Sequence, residues 1–118
     1  MTDKIVLTLP GRARFGAVAS LVLGGVGSRL ELPYERVDDL QLAVLSILDS
    51  GGGDELVTLE LDAGEGDLAV SLGPLEDGSS ADAALARVLA PLVDAVESEQ
   101  RDGKEWITLR LSRSSRRA

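Results

Sequence analysis

The sequence predicts an α+β fold: a two-layer α/β sandwich, order β-α-α-β-β-α-β, with a mostly antiparallel four-stranded sheet and three helices on one face. Three observations predict it. Short β-branched or alternating runs lie at Lys4–Leu9, Glu55–Asp62, Asp67–Leu72 and Glu105–Leu111. Apolar residues recur at helical spacing through Arg12–Leu30, Val37–Asp54 and Ser80–Ser98. No internal period of about 20–50 residues and no low-complexity linker interrupts them, so residues 1–112 form one domain and 113–118 a short basic tail.

The first strand, KIVLTL, is short, apolar and closed by Pro10-Gly11. In the helix that follows, Phe15, Val18, Ala19, Val22 and Val26 share a face. Gly24, Gly25 and Gly27 each weaken it by up to about 1 kcal/mol relative to alanine, so either the helix breaks there or another element packs close. Pro33 fits near the start of the second helix, Asp38 and Asp39 favour its N-terminal dipole, and Gly51-Gly52-Gly53 stops it. Its apolar face is Val37, Leu40, Val44, Ile47 and Leu48. Leu42, Ala43 and Leu45 widen that face, which predicts a largely buried helix.

Glu55–Asp62 alternates, with Val57, Leu59 and Leu61 to one side; Ala63–Gly66 turns the chain and Asp67–Leu72 returns as the second arm of a hairpin. Gly73–Ser80 reads as a polar loop. Ser80 or Asp82 caps a third helix running to about Ser98, with Pro91 placed to kink or interrupt it. Arg101–Lys104 turns into the last strand, where Trp106, Thr108 and Arg110 alternate with Ile107, Leu109 and Leu111.

Composition removes whole classes of chemistry. Without cysteine or histidine there are no disulfides, no thiolate nucleophile, no Cys- or His-ligated metal and no histidine acid–base catalyst. The N-terminus lacks a signal-peptide pattern, and the longest apolar stretch, Ala17–Val26, is too short to span a bilayer; the expectation is a cytoplasmic protein with no membrane partner. Net charge is −8, yet Arg110, Arg113, Arg116 and Arg117 crowd the last nine residues, so residues 1–109 carry −12, 8 basic against 20 acidic. An acidic body repels phosphate, which excludes nucleic acid as a partner. The basic tail reads as a solubilising terminus.

The remaining features have plain explanations. Asp38-Asp39, Asp54-Glu55 and Glu76-Asp77 lack the spacing of a calcium loop and read as solvated surface. The three glycines follow a helix, where the dipole has the wrong sign for phosphate. Ser79-Ser80 reads as cap and loop. Phe15, Tyr34 and Trp106 are the only aromatics, too few for a base-stacking platform.

The order of elements, the opening LTLPGRARFGAVASLVLGGVGSRLELPYERVDDLQLAV and the close ARVLAPLVDAVESEQRDGKEWITLRLSR resemble the anti-sigma-factor serine kinases of the GHKL, or histidine-kinase-like, ATPase superfamily. The resemblance implies a Bergerat-type sandwich and covers nearly the whole chain, through framework residues. In that family the second helix carries Glu-x-x-x-Asn after an Ala-Val pair, Glu as general base and Asn as magnesium ligand. Aligning on Ala43-Val44 places Ser46 at the Glu position and Ser50 at the Asn position. A serine is no carboxylate base and a poorer magnesium ligand. Where the family has an aspartate and glycines to read adenine and hinge a lid, this chain has Gly73-Pro74-Leu75, and DAALARVLA replaces the later glycine-rich phosphate motif.

The resulting expectation is a non-catalytic regulatory module resembling an anti-sigma factor, with no catalytic residue, no metal and no cofactor. The positions aligned with the family pocket are Ser46, Asp49, Ser50 and Pro74. If that pocket has collapsed, Ser46 and Ser50 should be hydrogen-bonded locally and apolar side chains should occupy the nucleotide volume; an open, solvent-filled cleft would count against it. The resemblance implies a protein partner, such as a sigma factor or an anti-sigma antagonist, and a homodimer or a heterodimer with a paralogue. The alternative is an ATP- and magnesium-dependent serine/threonine protein kinase with divergent motifs, in which Asp49 supplies the carboxylate. A further alternative is an unrelated small α/β scaffolding domain.

Overall fold

The computed structural model describes residues 3–10, 12–50, 56–75 and 78–113. Strand β1 (Asp3–Pro10) leads into helices α1 (Arg12–Arg29) and α2 (Tyr34–Ser50). A hairpin follows, β2 (Leu56–Ala63) and β3 (Asp67–Leu75); then come a single 3-10 turn (Ser79–Ala81), helix α3 (Ala83–Leu89) and a second hairpin, β4 (Ala95–Arg101) and β5 (Lys104–Ser112). The sheet order is β1-β2-β3-β5-β4 and every pairing is antiparallel.

The class is therefore α+β as expected, but the sheet has five strands where four were expected. The extra strand is cut from the third helix. That helix was expected to run to about Ser98; it ends at Leu89, Pro91 falls in the turn beyond it, and the chain re-enters the sheet at Ala95. A proline inside the helix would have cost about 3 kcal/mol. Asp102 and Gly103 then both take positive φ, 52° and 77°, the geometry of a two-residue hairpin turn. The expected loop at Gly73–Ser80 is shortened too, because β3 continues through an irregular register to Leu75.

One face of the sheet supplies the core. Along β2 and β3 the buried residues alternate: Val57, Leu59, Leu61 and Ala63, then Leu68, Val70 and Leu72. In register with them on β5 stand Ile107, Leu109 and Leu111. Against this surface pack Ala19, Leu23 and Val26 of α1, Leu40, Ala43, Val44, Ile47 and Leu48 of α2, and Leu85 and Leu89 of α3. Each large aliphatic side chain buried this way contributes about 1.5–3 kcal/mol of transfer free energy, which outweighs the helix penalty of the α1 glycines. The helix runs unbroken through Gly24, Gly25 and Gly27. Gly27 is where α2 approaches most closely, since a Cβ there would overlap the Val37 side chain. Close packing, not a helix break, accounts for that glycine.

The apolar breadth of α2 is only partly used. Ala43 is buried with the core, but Leu42 and Leu45 remain exposed, contrary to the expectation of a largely buried helix. The expected stop at Gly51-Gly52-Gly53 lies outside the described residues, as do Glu76-Asp77 and the tail from residue 114. Arg113, the first residue of that expected tail, donates from its guanidinium to the carbonyls of Gly64 and Leu30.

Candidate functional site

The residues aligned with the family pocket lie on α2 and β3. Residues three and four apart on a helix share a side, so α2 sets Ser46, Asp49 and Ser50 near one another along its axis. The half-buried Ser46 donates its hydroxyl to the carbonyl of Leu42, one turn back, at 2.8 Å. That bond is internal to the helix. Asp49 lies exposed on the outward side. Ser50 is the last residue of α2, and its side chain lies outside the described set. Pro74 is half-buried in the extended end of β3. Its neighbour Gly73 is pressed against the Trp106 indole, leaving no space for a Cβ. The strand end is packed by a tryptophan.

Three further polar constellations were not singled out from the sequence. The first is Glu105, buried on the helix-bearing side of β5. Its carboxylate accepts from the Ser80 hydroxyl at 2.6 Å and the Ser80 backbone N–H at 3.3 Å. The Ser80 hydroxyl above all, helped by the N–H groups of Ser80, Ser79 and Gly78, holds this carboxyl below its usual range against the opposing effect of burial. The backbone donors ahead of α3 thus already serve an internal anion. Asp82 caps α3 itself, accepting from Ala84 N at 2.9 Å and Leu85 N at 3.3 Å. Of the two expected caps, Asp82 is the one used, while Ser80 serves Glu105.

The second is Arg36, at 1% exposure the most polar side chain in the interior. Its guanidinium donates to the Leu92 carbonyl at 3.3 Å and lies 3.4 Å from the carboxylate of Asp39 and 3.5 Å from that of Asp94. Asp94 also accepts from Ser112 N at 2.6 Å, so the pair ties α2, the turn after α3 and the end of β5 together. A burial this complete had no sequence signal, because Arg36 falls beside Glu35 in a polar first turn.

The third lies on the sheet face that carries no helix. Ser71 and Thr108 share a hydrogen bond at 2.8 Å there, and Thr8 and Thr58 another at 2.7 Å. Arg101 pairs with Glu60 at 3.0 Å and Glu99 at 2.7 Å and lies 4.0 Å above the Trp106 ring; Arg110 pairs with Glu97 at 3.0 Å. These partners satisfy one another across a depression of about 280 Å³. A larger groove, about 410 Å³, runs between α3 and β4, floored by Leu85, Leu89, Val93, Val96 and Ile107. Ser46, Asp49 and Pro74 line neither. Among the described residues no cluster of three carboxylates could hold a metal ion, and no helix is long and apolar enough to cross a membrane.

The fold and these sites define an α+β sandwich with a helix layer on one side of the sheet and a polar open face on the other. No family model matches the chain. It is similar to the serine-protein kinase RsbW of Listeria innocua serovar 6a, 32% identical over 89 residues, covering 70% of this chain and 55% of that protein. It is also similar to serine-protein kinase RsbW of Listeria monocytogenes serotype 4a, 41% identical over 44 residues, 37% of this chain and 28% of that protein. The chain thus spans about half the length of the first relative and under a third of the second. These similarities support kinship with the RsbW serine-protein kinases, the kind of family that the framework residues resemble.

Proposed function

We propose that the protein is a regulatory binding module of the anti-sigma type, which acts by occupying a protein partner and transfers no phosphate. The observation that carries this reading is Ser46. At the position where the resemblance calls for a general base, a hydroxyl is spent on the Leu42 carbonyl. A serine hydroxyl is no carboxylate base, so at this position nothing takes a proton from a substrate hydroxyl as the family's Glu would. Two further contacts are consistent with it: Glu105 engages the Ser80 hydroxyl and N–H ahead of α3, and Trp106 packs against Gly73 beside Pro74. On this reading the pocket no longer serves magnesium-ATP. The partner, on this reading, is a sigma factor or an anti-sigma antagonist, and the module works as a homodimer or beside a competent paralogue.

The relatives carry the name serine-protein kinase, which favours one second reading. In it Asp49, exposed one turn beyond Ser46, supplies the missing carboxylate for a divergent kinase. Labelled-phosphate transfer to a candidate antagonist, run beside nucleotide-free co-purification with a candidate sigma factor, separates the two. Binding without transfer supports the module; transfer that Asp49→Ala abolishes supports the kinase.

A further inference from the structure

The sheet ends at β4, and among the described residues that strand pairs only with β5. In an antiparallel pair alternate residues exchange both backbone bonds with the partner, and the others turn their N–H and C=O groups to the opposite edge. The outer edge of β4 thus presents a row of backbone donors and acceptors with no strand beside it. Its sequence, AVESEQR, has no proline to interrupt that row, whereas the other edge strand, β1, ends in Pro10. Neither face of β4 is covered, since six of its seven residues are exposed.

Beside this edge, on the helix side of the sheet, lies the groove of about 410 Å³, lined by Leu85 and Leu89 of α3 and by Val93, Ala95, Val96 and Ile107. Val96 is still 43% exposed there. The charged residues that line the groove are already engaged: Asp82 caps α3, and Asp94 meets Arg36 and the Ser112 N–H. On the opposite, open face the outermost row is Ala95, Glu97, Glu99 and Arg101. Arg101 turns inward, lying over the Trp106 ring and reaching Glu60 on β2. Arg110 and Lys104 belong to β5, one strand further in. Glu97 and Glu99 each spend one carboxylate oxygen, Oε1, on Arg110 and Arg101 and remain about half exposed.

We propose that the β4 edge takes up an extended segment of a partner protein as a further strand. Alternate residues of that segment are apolar and face the groove; those between them are lysine or arginine and lie beside Glu97 and Glu99. Strand addition uses both features of this edge: backbone bonds hold the segment, and a pocket for alternate side chains selects it. Opposite charges across neighbouring strands stabilise such pairing and like charges oppose it. The same rule disfavours a second copy of the chain. Two β4 edges paired antiparallel over their full length, centred on Ser98, set Glu97 of each copy against Glu99 of the other. The proposal rests on the reading of the protein as a binding module and names the surface and the kind of segment it takes.

The test uses the full chain, labelled with 15N and titrated without nucleotide. The probe is a seven-residue peptide, the length of β4, in which valine and lysine alternate. One control has the same composition with its valines and lysines in separate blocks; the other alternates valine with glutamate. The expected result is saturable binding of the alternating lysine peptide only, with slowed amide exchange along β4 and shifts at Leu85, Leu89 and Val96. Methylating the backbone nitrogens of the valines alone, or of the lysines alone, should give opposite results. One set faces β4 and its methylation abolishes binding, while the other set leaves binding intact. Val96→Asp should weaken binding at least about tenfold, as loss of an apolar anchor does. Glu97→Lys combined with Glu99→Lys should move the preference to the glutamate peptide. These variants change exposed positions, and an unchanged circular dichroism spectrum verifies their fold. Equal binding of the block peptide, equal effects of the two methylation patterns, shifts in the groove without protection of β4, or no saturable binding would overturn the proposal. So would sedimentation showing a dimer that Val96→Asp dissolves, which would assign the edge to a second copy. Nucleotide binding or phosphate transfer, measured separately, would overturn the non-catalytic reading and leave the peptide result standing.

Discussion

A buried carboxylate needs donors, and Glu105 finds them in Ser80 and the backbone just before α3. Because those donors hold its folded pKa below the ordinary 4.5, the unfolded chain takes up the proton first on acidification. The stability due to this group is complete above about pH 4.5 and is lost as pH falls through the lower folded value. Replacing it with the neutral isostere, Glu105→Gln, should cost about 1–2 kcal/mol at pH 7. It should also flatten the acid limb of stability, measured by urea unfolding at stepped pH; an acid limb as steep as the parent's would contradict this. The α1 glycines make a second residue-scale contrast. Gly27→Ala should cost about 1–3 kcal/mol because the new methyl overlaps Val37, whereas Gly25→Ala, with open space around it, should be stabilising by up to about 1 kcal/mol. Thermal unfolding of the two variants measures the difference. The sequence marks both positions as glycine in a helix, but which one faces another helix depends on the relative rotation of α1 and α2, which no local pattern contains.

At the level of elements, the parts that were legible are those with strong patterns. β2 and β3 alternate cleanly across a short turn, and β5 carries three aliphatic residues on one side, so all three are recovered within a few residues. β4 was not. As an edge strand it needs no apolar face, and its seven residues, AVESEQR, are nearly all exposed; they blend into the helical spacing that precedes them. Two local signals were present: Pro91, which ends the helix, and Asp102-Gly103, a strong hairpin dipeptide. Gly103 holds φ of 77°, so Gly103→Ala should cost about 1–2 kcal/mol and lower the urea midpoint without changing its slope. An unchanged midpoint would mean the hairpin tolerates a side chain there. The candidate site divides in the same way. The serines at 46 and 50 can be placed on α2 by counting, but the destination of the Ser46 hydroxyl requires the helix backbone. Glu105 and the burial of Arg36 were invisible because Ser80 lies 25 residues from Glu105, and Leu92 and Asp94 lie 56 and 58 from Arg36; only Asp39, three residues on, is local.

For the whole molecule, the layers assign different tasks to different surfaces. The inner face of the sheet and the helix layer hold the fold; the open face carries paired charges; the outer helix layer leaves Leu21, Leu42 and Leu45 exposed. An acidic body of this kind favours partners with basic surfaces and speeds their encounter at low salt. Association with a partner should therefore slow as salt is raised, by stopped-flow mixing, and a salt-independent rate would place the contact elsewhere. A body that works by binding protein rather than by using nucleotide leaves magnesium-ATP unbound. Calorimetric titration of the full chain with magnesium-ATP should show no heat of binding, and thermal unfolding no shift; saturable micromolar binding would contradict the binding-module reading and return the kinase reading, with Asp49, to the front.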